Sequence, residues 1–188
     1  MKTSRTAYTN IHQDIIDNCR NKDRKAQFRI YKLYYRNMYN ISLRIVNSPD
    51  EAEDIMQEAF LSAFEKIDSY KGEVSFGAWL KRIVINKSLD SIRKKKTGLV
   101  IFEEGVAVPV EDENIDNLIE PRLDLIHKCI RMLPEGYRII LSLYLLEGYD
   151  HEEIGEILGI SASTSRSQYA RARQKLRLMV KNQAASTK

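Results

Sequence analysis

Apolar residues recur along most of the chain at the three- and four-residue spacing that places them on one face of an α-helix. Residues 23–46 predict a long helix, because apolar side chains recur there at helical spacing: Phe28, Ile30, Tyr31, Leu33, Tyr34, Met38, Ile41 and Ile45. Glycine, proline and polar clusters end each run. The pattern predicts an all-α fold with helices at residues 1–20, 23–46, 50–69, 76–96, 121–132, 135–147, 151–158 and 162–181.

One weakly periodic segment, residues 97–120, separates these helices into two groups. It contains Gly98, Gly105, Pro109 and the acidic run Glu111-Asp112-Glu113, a composition typical of a linker. We therefore predict two small helical domains joined by an acidic flexible linker, with a short tail after the second domain. The predicted bounds are 1–96 and 121–182 for the domains, 97–120 for the linker and 183–188 for the tail.

Two of the predicted helices begin with a capping signal. The run Ser48-Pro49-Asp50-Glu51 has serine at the N-cap, proline at the first helical position and glutamate three residues after the cap, which predicts a capping box. The run Asp150-His151-Glu152-Glu153 gives a similar start to a short helix. Gly159 can adopt the left-handed conformation that ends it, and Ser161 can cap the next helix. The second domain is therefore expected to end in a helix-turn-helix of the DNA-binding kind.

Charge is distributed unevenly along the 188 residues, although 30 basic and 26 acidic residues leave a net charge of only +4. Residues 101–120 contain acidic residues and no basic ones, whereas residues 81–96 are strongly basic and residues 161–188 contain no acidic residue. Two basic clusters on one chain predict that the chain binds a polyanion at two places. The alternative for each cluster alone is an ordinary solvated surface.

The last predicted helix has one inward and one outward face. Ser165, Tyr169, Ala172 and Leu176 share the inward face by their spacing. The adjacent face is basic and has short side chains, which let a helix enter a major groove while arginines reach guanine edges or phosphates. The predicted contacts to an upstream DNA element are Ser163, Thr164, Arg166, Ser167, Arg171 and Arg173. The alternative is a surface helix of a helical hairpin.

The predicted helix at 50–69 has an acidic face opposite its apolar one. A leucine among carboxylates is a candidate for docking a basic protein partner. The residues of this candidate surface are Asp50, Asp54, Gln57, Glu58 and Leu61. The alternative is a solvated face whose acidic residues stabilise the N-terminus of the helix.

The predicted helix at 76–96 carries a polar stripe that ends in lysines. Asn, Asp and Arg side chains can hydrogen-bond base edges, and the loop at 70–75 could form a pocket for an unpaired base. The candidate contacts to a melted DNA strand are Lys71, Asn86, Asp90, Arg93 and Lys94. An ion pair between Asp90 and Lys94 is the alternative for those two residues, and core packing is the favoured interpretation of Trp79.

The sequence offers no candidate for catalysis, for a cofactor or for a metal site. His12, His127 and His151 are scattered, no glycine-rich phosphate loop is present, and Cys19 and Cys129 form no CxxC motif. No run approaches the roughly 20 apolar residues of a membrane helix, and the N-terminus lacks the apolar segment of a secretory signal. We expect a cytoplasmic binding protein without direct membrane insertion, and not an enzyme.

Several motifs, in this order and spacing, resemble the extracytoplasmic-function (ECF) group of bacterial RNA polymerase sigma factors. The first is the run from Pro49 to Phe60, and the second runs from Phe76 to Ile83 and on through Asn86, Asp90 and Arg93. The third comprises Leu133-Pro134, the run from Glu153 to Ser161, and Arg171-Ala172-Arg173. The sequence departs from the family pattern at Ala162, Ser163, Ser165 and Gln168.

The resemblance implies a transcription initiation factor that binds core RNA polymerase, directs it to specific promoters and takes part in melting them. It implies that the acidic helix docks on the clamp of the largest subunit, that the first domain recognises the minus-ten element and that the second recognises the minus-thirty-five element. It also implies an anti-sigma factor as a regulatory partner. Two other classes stay open, a stand-alone helix-turn-helix regulator and, with less support, an RNA-binding adaptor.

Overall fold

The computed structural model describes residues 11–95 and 123–185. These residues fall into two compact units, one within Met1–Thr97 and the other within Gly98–Lys188. The described residues form helices, turns and loops without a strand, which confirms the prediction of an all-α fold. The predicted linker at 97–120 lies outside the described residues, so the domain bounds stay a prediction.

The first unit is a bundle of three long helices and one short helix. Its elements are α1 (Gln13–Arg20), α2 (Arg24–Val46), α3 (Pro49–Glu65), a 3₁₀ turn (Ile67–Ser69) and α4 (Phe76–Lys95). Helices α2, α3 and α4 pack against one another, and α1 packs against α2. The helix predicted at 50–69 is therefore shorter than expected, because the chain tightens into the 3₁₀ turn after α3.

The core of the first unit is formed by apolar side chains from all four of its described helices. Fully buried side chains include Ile16, Ile30, Met38, Ile41, Ile45, Phe76, Leu80, Ile85 and Leu89. Each such side chain contributes about 1.5–3 kcal/mol through burial. The buried hydroxyls of Ser42 and Ser88 lie 3.0 Å apart, and Ser88 also donates to the Val84 carbonyl at 2.8 Å, so these polar groups are satisfied inside the core.

Residues 123–185 of the second unit form four α-helices around a smaller core. Its elements are α5 (Leu123–Met132), α6 (Glu135–Leu141), a π-helical turn (Ser142–Leu146), α7 (His151–Leu158) and α8 (Ala162–Ala185). Helix α8 packs against α5, α6 and α7. It extends beyond the predicted end at residue 181 and into the predicted tail. The helix predicted at 135–147 is likewise only α-helical to Leu141, because the backbone then widens into the π turn, closed by the Glu147 amide donating to the Ser142 carbonyl at 3.0 Å.

Candidate DNA and protein interfaces

The helix-turn-helix of the second unit is built from local capping contacts. The Asp150 carboxylate accepts a hydrogen bond from the Glu153 amide at 2.8 Å, and the Glu153 carboxylate accepts one from the Asp150 amide at 2.9 Å, so the capping box forms. Gly159 ends α7 in the left-handed conformation with φ 73°. The Ser161 hydroxyl accepts from the Thr164 amide at 3.0 Å and caps α8. The capping box, the left-handed Gly159 and the Ser161 cap confirm the predicted starts of α7 and α8 and the predicted end of α7.

Gly155 makes the tight turn possible, and its role was not predicted. A Cβ atom at this position would lie 2.8 Å from the Ile160 carbonyl oxygen, a backbone atom that cannot move aside. The Gly155 carbonyl in turn accepts hydrogen bonds from the Gly159 and Ile160 amides at 2.9 and 3.0 Å. Glycine is therefore needed for the close approach of α7 to the turn that leads into α8.

Helix α8 presents the faces that its spacing predicts. Ser165 and Ala172 are fully buried, and Tyr169 and Leu176 are partly buried against the core. Gln168 is also buried, which the sequence analysis did not anticipate. On the other face Ser163 and Arg166 are exposed, and the rest of the predicted DNA contacts are partly exposed: Thr164, Ser167, Arg171 and Arg173.

Some polar groups on this outward face already have partners within the unit. The Ser167 hydroxyl donates to the Thr164 carbonyl at 3.0 Å, and the Thr164 hydroxyl lies 2.8 Å from that of Ser161. Arg166 pairs with Glu152 of α7 at 3.1 Å. This pair is exposed, and such pairs contribute little to stability, so the Arg166 guanidinium can exchange Glu152 for another anion at small cost.

A cluster of three rings joins the π turn to both helices of the helix-turn-helix. The His151 ring stacks on Tyr144 at 4.6 Å between centroids and lies edge-on to Tyr169 at 5.6 Å. The His151 Nδ1 lies 2.9 Å from the buried Ser165 hydroxyl. Burial and the nearby Arg166 lower the pKa of His151, although Glu152 and Asp150 oppose the shift. This cluster is not predicted from the sequence, because neighbouring rings separated by a loop leave no periodic signal.

The acidic face of α3 in the first unit is a continuous solvent-facing surface. All five predicted docking residues are exposed: Asp50, Asp54, Gln57, Glu58 and Leu61. The Leu61 side chain is 65% exposed. Gln57 donates to Glu53 at 3.3 Å, and Glu58 pairs with Lys87 of α4 at 3.4 Å. The structure thus brings the five side chains together on one face, and their role in binding stays a prediction.

The capping box predicted for α3 is wrong. Ser48 is the N-cap and Pro49 occupies the first turn, but the Ser48 side chain makes no capping hydrogen bond. The Glu51 carboxylate accepts instead from the Ser91 hydroxyl at 2.5 Å and from the Lys95 ammonium at 2.6 Å, both on α4. Burial raises the pKa of Glu51, but the hydrogen bonds from Lys95 and Ser91 and the charge of Lys95 outweigh it, so the pKa lies below its ordinary value.

The predicted contacts to a melted strand are all exposed: Lys71, Asn86, Asp90, Arg93 and Lys94. They are spread along the unit, since Asn86 lies about 15 Å along α4 from its first residue and Lys71 precedes the helix. Asp90 pairs with Arg93 at 3.2 Å rather than with Lys94. Asp90 and Lys94 share a groove with Asp50, Asp54 and Glu58 of α3. Two candidate DNA contacts therefore lie beside the candidate docking face.

The loop before α4 is anchored by aromatic packing. The Tyr70 ring is buried between Phe76 and Trp79, each 5.4 Å away, and its hydroxyl donates to the Val74 carbonyl at 2.7 Å. Trp79 is partly buried in this cluster, as the core interpretation predicts. Tyr70 therefore shapes the loop from inside and offers no ring face to a base, whereas Lys71 is exposed.

The described residues offer neither a metal site of acidic, histidine or cysteine ligands nor a membrane-spanning helix. Within residues 11–95 and 123–185, no group of three or more histidine, cysteine or acidic side chains could hold a metal ion. No helix in the same ranges combines the length and apolar composition needed to cross a bilayer.

Comparisons with known proteins agree on one family. The Sigma-70 region 2 family matches residues 30–97, and the Sigma-70 region 4 family matches residues 123–176. The ECF RNA polymerase sigma factor SigW of Bacillus subtilis (strain 168) is 34% identical over 173 residues, which cover 85% of this chain and 91% of SigW. The ECF RNA polymerase sigma-E factor of Escherichia coli (strain K12) is 30% identical over 179 residues, which cover 86% of this chain and 90% of that factor.

A solved structure is similar as well. The sigma factor RpoE of Bartonella quintana, in complex with the anti-sigma factor NepR, superposes with a TM-score of 0.56 at 26% identity. The match covers 81% of this chain and 95% of RpoE.

Proposed function

The chain belongs to the ECF RNA polymerase sigma factors, and from this premise we propose how its two units share promoter-specific transcription initiation. The first unit docks on core RNA polymerase and contacts the melted minus-ten element, and the second contacts the minus-thirty-five element. The observation that carries the proposal is the order of surfaces on the chain. An acidic face and a basic helix end lie together in the first unit, and a helix-turn-helix with a basic outward face lies in the second.

The docking role of α3 is supported by its exposed surface. Asp54 and Glu58 precede Leu61 on the same helix face, so an apolar anchor lies beside negative charge, which suits a basic partner surface. This face does not suit DNA, whose phosphates the carboxylates would repel. We assign docking to Asp50, Asp54, Gln57, Glu58 and Leu61, on the clamp of the largest polymerase subunit.

The DNA-binding role is supported by two basic surfaces. In the second unit, Arg166 and Arg171 lie on the outward face of α8 among short side chains, an arrangement that suits a major groove. In the first unit, α4 ends in Arg93, Lys94 and Lys95, which suit the phosphates of a separated strand.

The proposal extends to three further points. Because the chain acts by binding, we assign it no catalytic activity and no cofactor. Because core polymerase and promoter DNA are its partners, we place it in the bacterial cytoplasm. The similarity to RpoE, which was solved with NepR, supports an anti-sigma factor as its regulator.

A double substitution tests the docking face. Leu61→Asp with Asp54→Arg removes the apolar anchor and reverses one charge at exposed positions, so the fold is retained. We expect binding to core RNA polymerase to weaken at least about 100-fold, since hot-spot substitutions each cost about 2 kcal/mol or more. A pull-down with core polymerase measures this, and circular dichroism checks the fold. Unchanged binding by the folded variant would refute the docking face.

A single substitution tests the upstream contact. Arg171→Ala is expected to weaken promoter binding by the assembled holoenzyme by about 1–3 kcal/mol if the guanidinium contacts a base. Core polymerase binding is expected to stay at the wild-type value, because Arg171 lies in the second unit. Promoter affinity equal to that of the wild type would remove Arg171 from the DNA interface.

A stand-alone helix-turn-helix regulator is the second candidate. Such regulators commonly bind symmetric sites as dimers, and this hypothesis leaves the acidic face around Leu61 without a role. The two functions differ in a simple experiment. If the chain alone protects a symmetric DNA site and fails to bind core polymerase, the regulator hypothesis is correct.

A further inference from the structure

Helix α3 and the last turn of α4 are joined by one largely buried carboxylate, that of Glu51. The Glu51 Oε1 atom accepts from the Ser91 hydroxyl at 2.5 Å, and Oε2 lies 2.6 Å from the Lys95 ammonium. We propose that Glu51 is a positioning residue, which holds the DNA-contacting end of α4 in a fixed place relative to the polymerase-docking face of α3. This inference rests on the proposed function, because it assigns DNA contact to α4 and docking to α3.

The end of α4 needs such a contact. Ile92 is the last buried residue of the helix, and three consecutive basic residues, Arg93, Lys94 and Lys95, follow it. Burial therefore anchors this part of the helix only as far as Ile92, and the positive charges that follow repel one another. Glu51 supplies a tertiary contact beyond that point, because its carboxylate neutralises the Lys95 ammonium and accepts a hydrogen bond from Ser91 one turn earlier.

Exposure and contact distance favour the contacts of Glu51 over the ion pair of Glu58 and Lys87, which also joins these helices. The Glu51 side chain is only 16% exposed and makes two short bonds, one of them with a charged donor, and such bonds are about twice as strong as neutral ones. The Glu58 side chain is 67% exposed and lies 3.4 Å from Lys87, a geometry that contributes little. Although the Lys95 side chain is 63% exposed, the bridge of Glu51, Ser91 and Lys95 has the shorter contacts and the less exposed carboxylate of these two links.

The bridge is also formed against a local preference. Glu51 stands where a capping box would use it, and the helix start retains neither half of that box. A helix N-cap contributes about 1 kcal/mol. The Glu51 carboxylate instead accepts a hydrogen bond at 2.5 Å from Ser91, which is 40 residues away in the chain. The contact with α4 is therefore more favourable than the local capping bond.

The location of the bridge connects it to both surfaces. Glu51 lines the same groove as the docking residues Asp50 and Asp54 and the candidate DNA contacts Asp90 and Lys94. Its carboxylate faces α4 rather than solvent, so it acts through Ser91 and Lys95 and touches neither partner.

The test uses the full chain with Glu51→Ala, Glu51→Gln and Ser91→Ala, and Asp14→Asn as the control. Asp14 is an exposed residue of α1, so this control removes one negative charge from the same unit. Glutamine keeps an acceptor for Ser91 but loses the charge opposite Lys95. Thermal unfolding followed by circular dichroism first establishes that each variant is folded at the assay temperature.

Three quantities are then measured: amide hydrogen exchange of the last turn of α4 in the free chain, affinity for core polymerase, and open promoter complexes formed by the holoenzyme. For Glu51→Ala we expect amide exchange in the last turn of α4 to be about tenfold faster and open complexes to be about tenfold fewer, because a charge-assisted hydrogen bond is lost. The affinity for core polymerase is expected to be unchanged. Glu51→Gln and Ser91→Ala are expected to show smaller losses of the same kind, and Asp14→Asn none.

Several results would overturn the inference. If Glu51→Ala lowers polymerase affinity as much as open complex formation, the residue has a general structural role. If exchange in the last turn of α4 is unchanged, the bridge does not order it. If the wild-type chain forms no open complexes while exchange still responds to Glu51, the bridge exists but the proposed function, and with it the positioning role, is wrong.

Discussion

Helices α3 and α7 begin with similar local signals and use them differently. Each has an oxygen-bearing N-cap residue followed three positions later by glutamate. In α7, Asp150 and Glu153 bond to each other's backbone amides and close the capping box. In α3, the Ser48 side chain makes no such bond, and the Glu51 carboxylate accepts hydrogen bonds from Ser91 and Lys95 of α4 instead.

The difference comes from what lies next to each helix start. The α7 start is exposed, and the Asp150 and Glu153 carboxylates bond to the local amides. The α3 start lies against α4, which supplies a hydroxyl and an ammonium group to Glu51. A capping signal therefore predicts the helix start in both units, but it predicts the contact only where no tertiary partner competes.

The largest expected effect on stability comes from a glycine of the second unit. Gly155→Ala places a Cβ 2.8 Å from the Ile160 carbonyl oxygen, and we expect the second unit to lose about 2 kcal/mol, a typical cost of forced backbone shifts. Trp79, the only tryptophan, lies in the first unit. Circular dichroism is therefore expected to show the loss, and tryptophan fluorescence is expected to show none.

Gly77→Ala is the matched variant in the first unit. Its Cβ would lie 3.0 Å from the Tyr34 ring, which is a side chain that can shift. We expect a loss of less than about 1 kcal/mol, seen by tryptophan fluorescence. Equal losses from the two substitutions would mean that the turn at Gly155 can also relax.

A smaller effect compares the two caps directly. Asp150→Ala is expected to destabilise the second unit by about 1 kcal/mol, because it removes a side chain that accepts from the Glu153 amide. Ser48→Ala is expected to destabilise the first unit by no more than a few tenths of a kcal/mol, because no capping bond is lost. Urea unfolding followed by both probes measures the two values. A Ser48→Ala loss as large as that of Asp150→Ala would contradict the comparison.

The smallest effect is a pH dependence of the stability of the second unit between pH 7.5 and 5.5. Because the pKa of His151 is lowered in the fold, the unfolded chain binds its proton first as the pH falls. Stability is therefore expected to be constant above the ordinary pKa of 6.5 and to decrease as the pH falls through that value toward the lower pKa of the folded state. His151→Gln is expected to reduce this decrease, measured by urea unfolding at pH 7.5 and 5.5. An identical pH dependence in both proteins would rule out His151 as its source.

The sequence predicted the contacts that are made within a few residues. The left-handed Gly159, the Ser161 cap and the inward Ser165 and Ala172 follow from local geometry or from helical period, and all are confirmed. The exposed acidic face of α3 follows from the same period. Local rules were sufficient for these features because the interacting groups share one helix or one turn.

The features that were missed depend on pairs that are distant in the chain. Glu51 and Ser91 are 40 residues apart, and no pattern in either helix indicates their contact. The ring cluster around His151 requires the π turn, which places Tyr144 beside α7 and has no sequence signal. Gly155 could have been singled out, since a glycine inside a helix weakens it and therefore suggests a close approach.

Reconstituted transcription tests the central claim most directly. The purified chain, added to bacterial core RNA polymerase with a genomic template library, is expected to produce RNA from a defined set of start sites that share upstream elements. The Leu61→Asp, Asp54→Arg double variant is expected to produce none of these transcripts. If the wild-type chain yields no start-site-specific RNA beyond the core enzyme alone, its assignment as a promoter-directing initiation factor is contradicted.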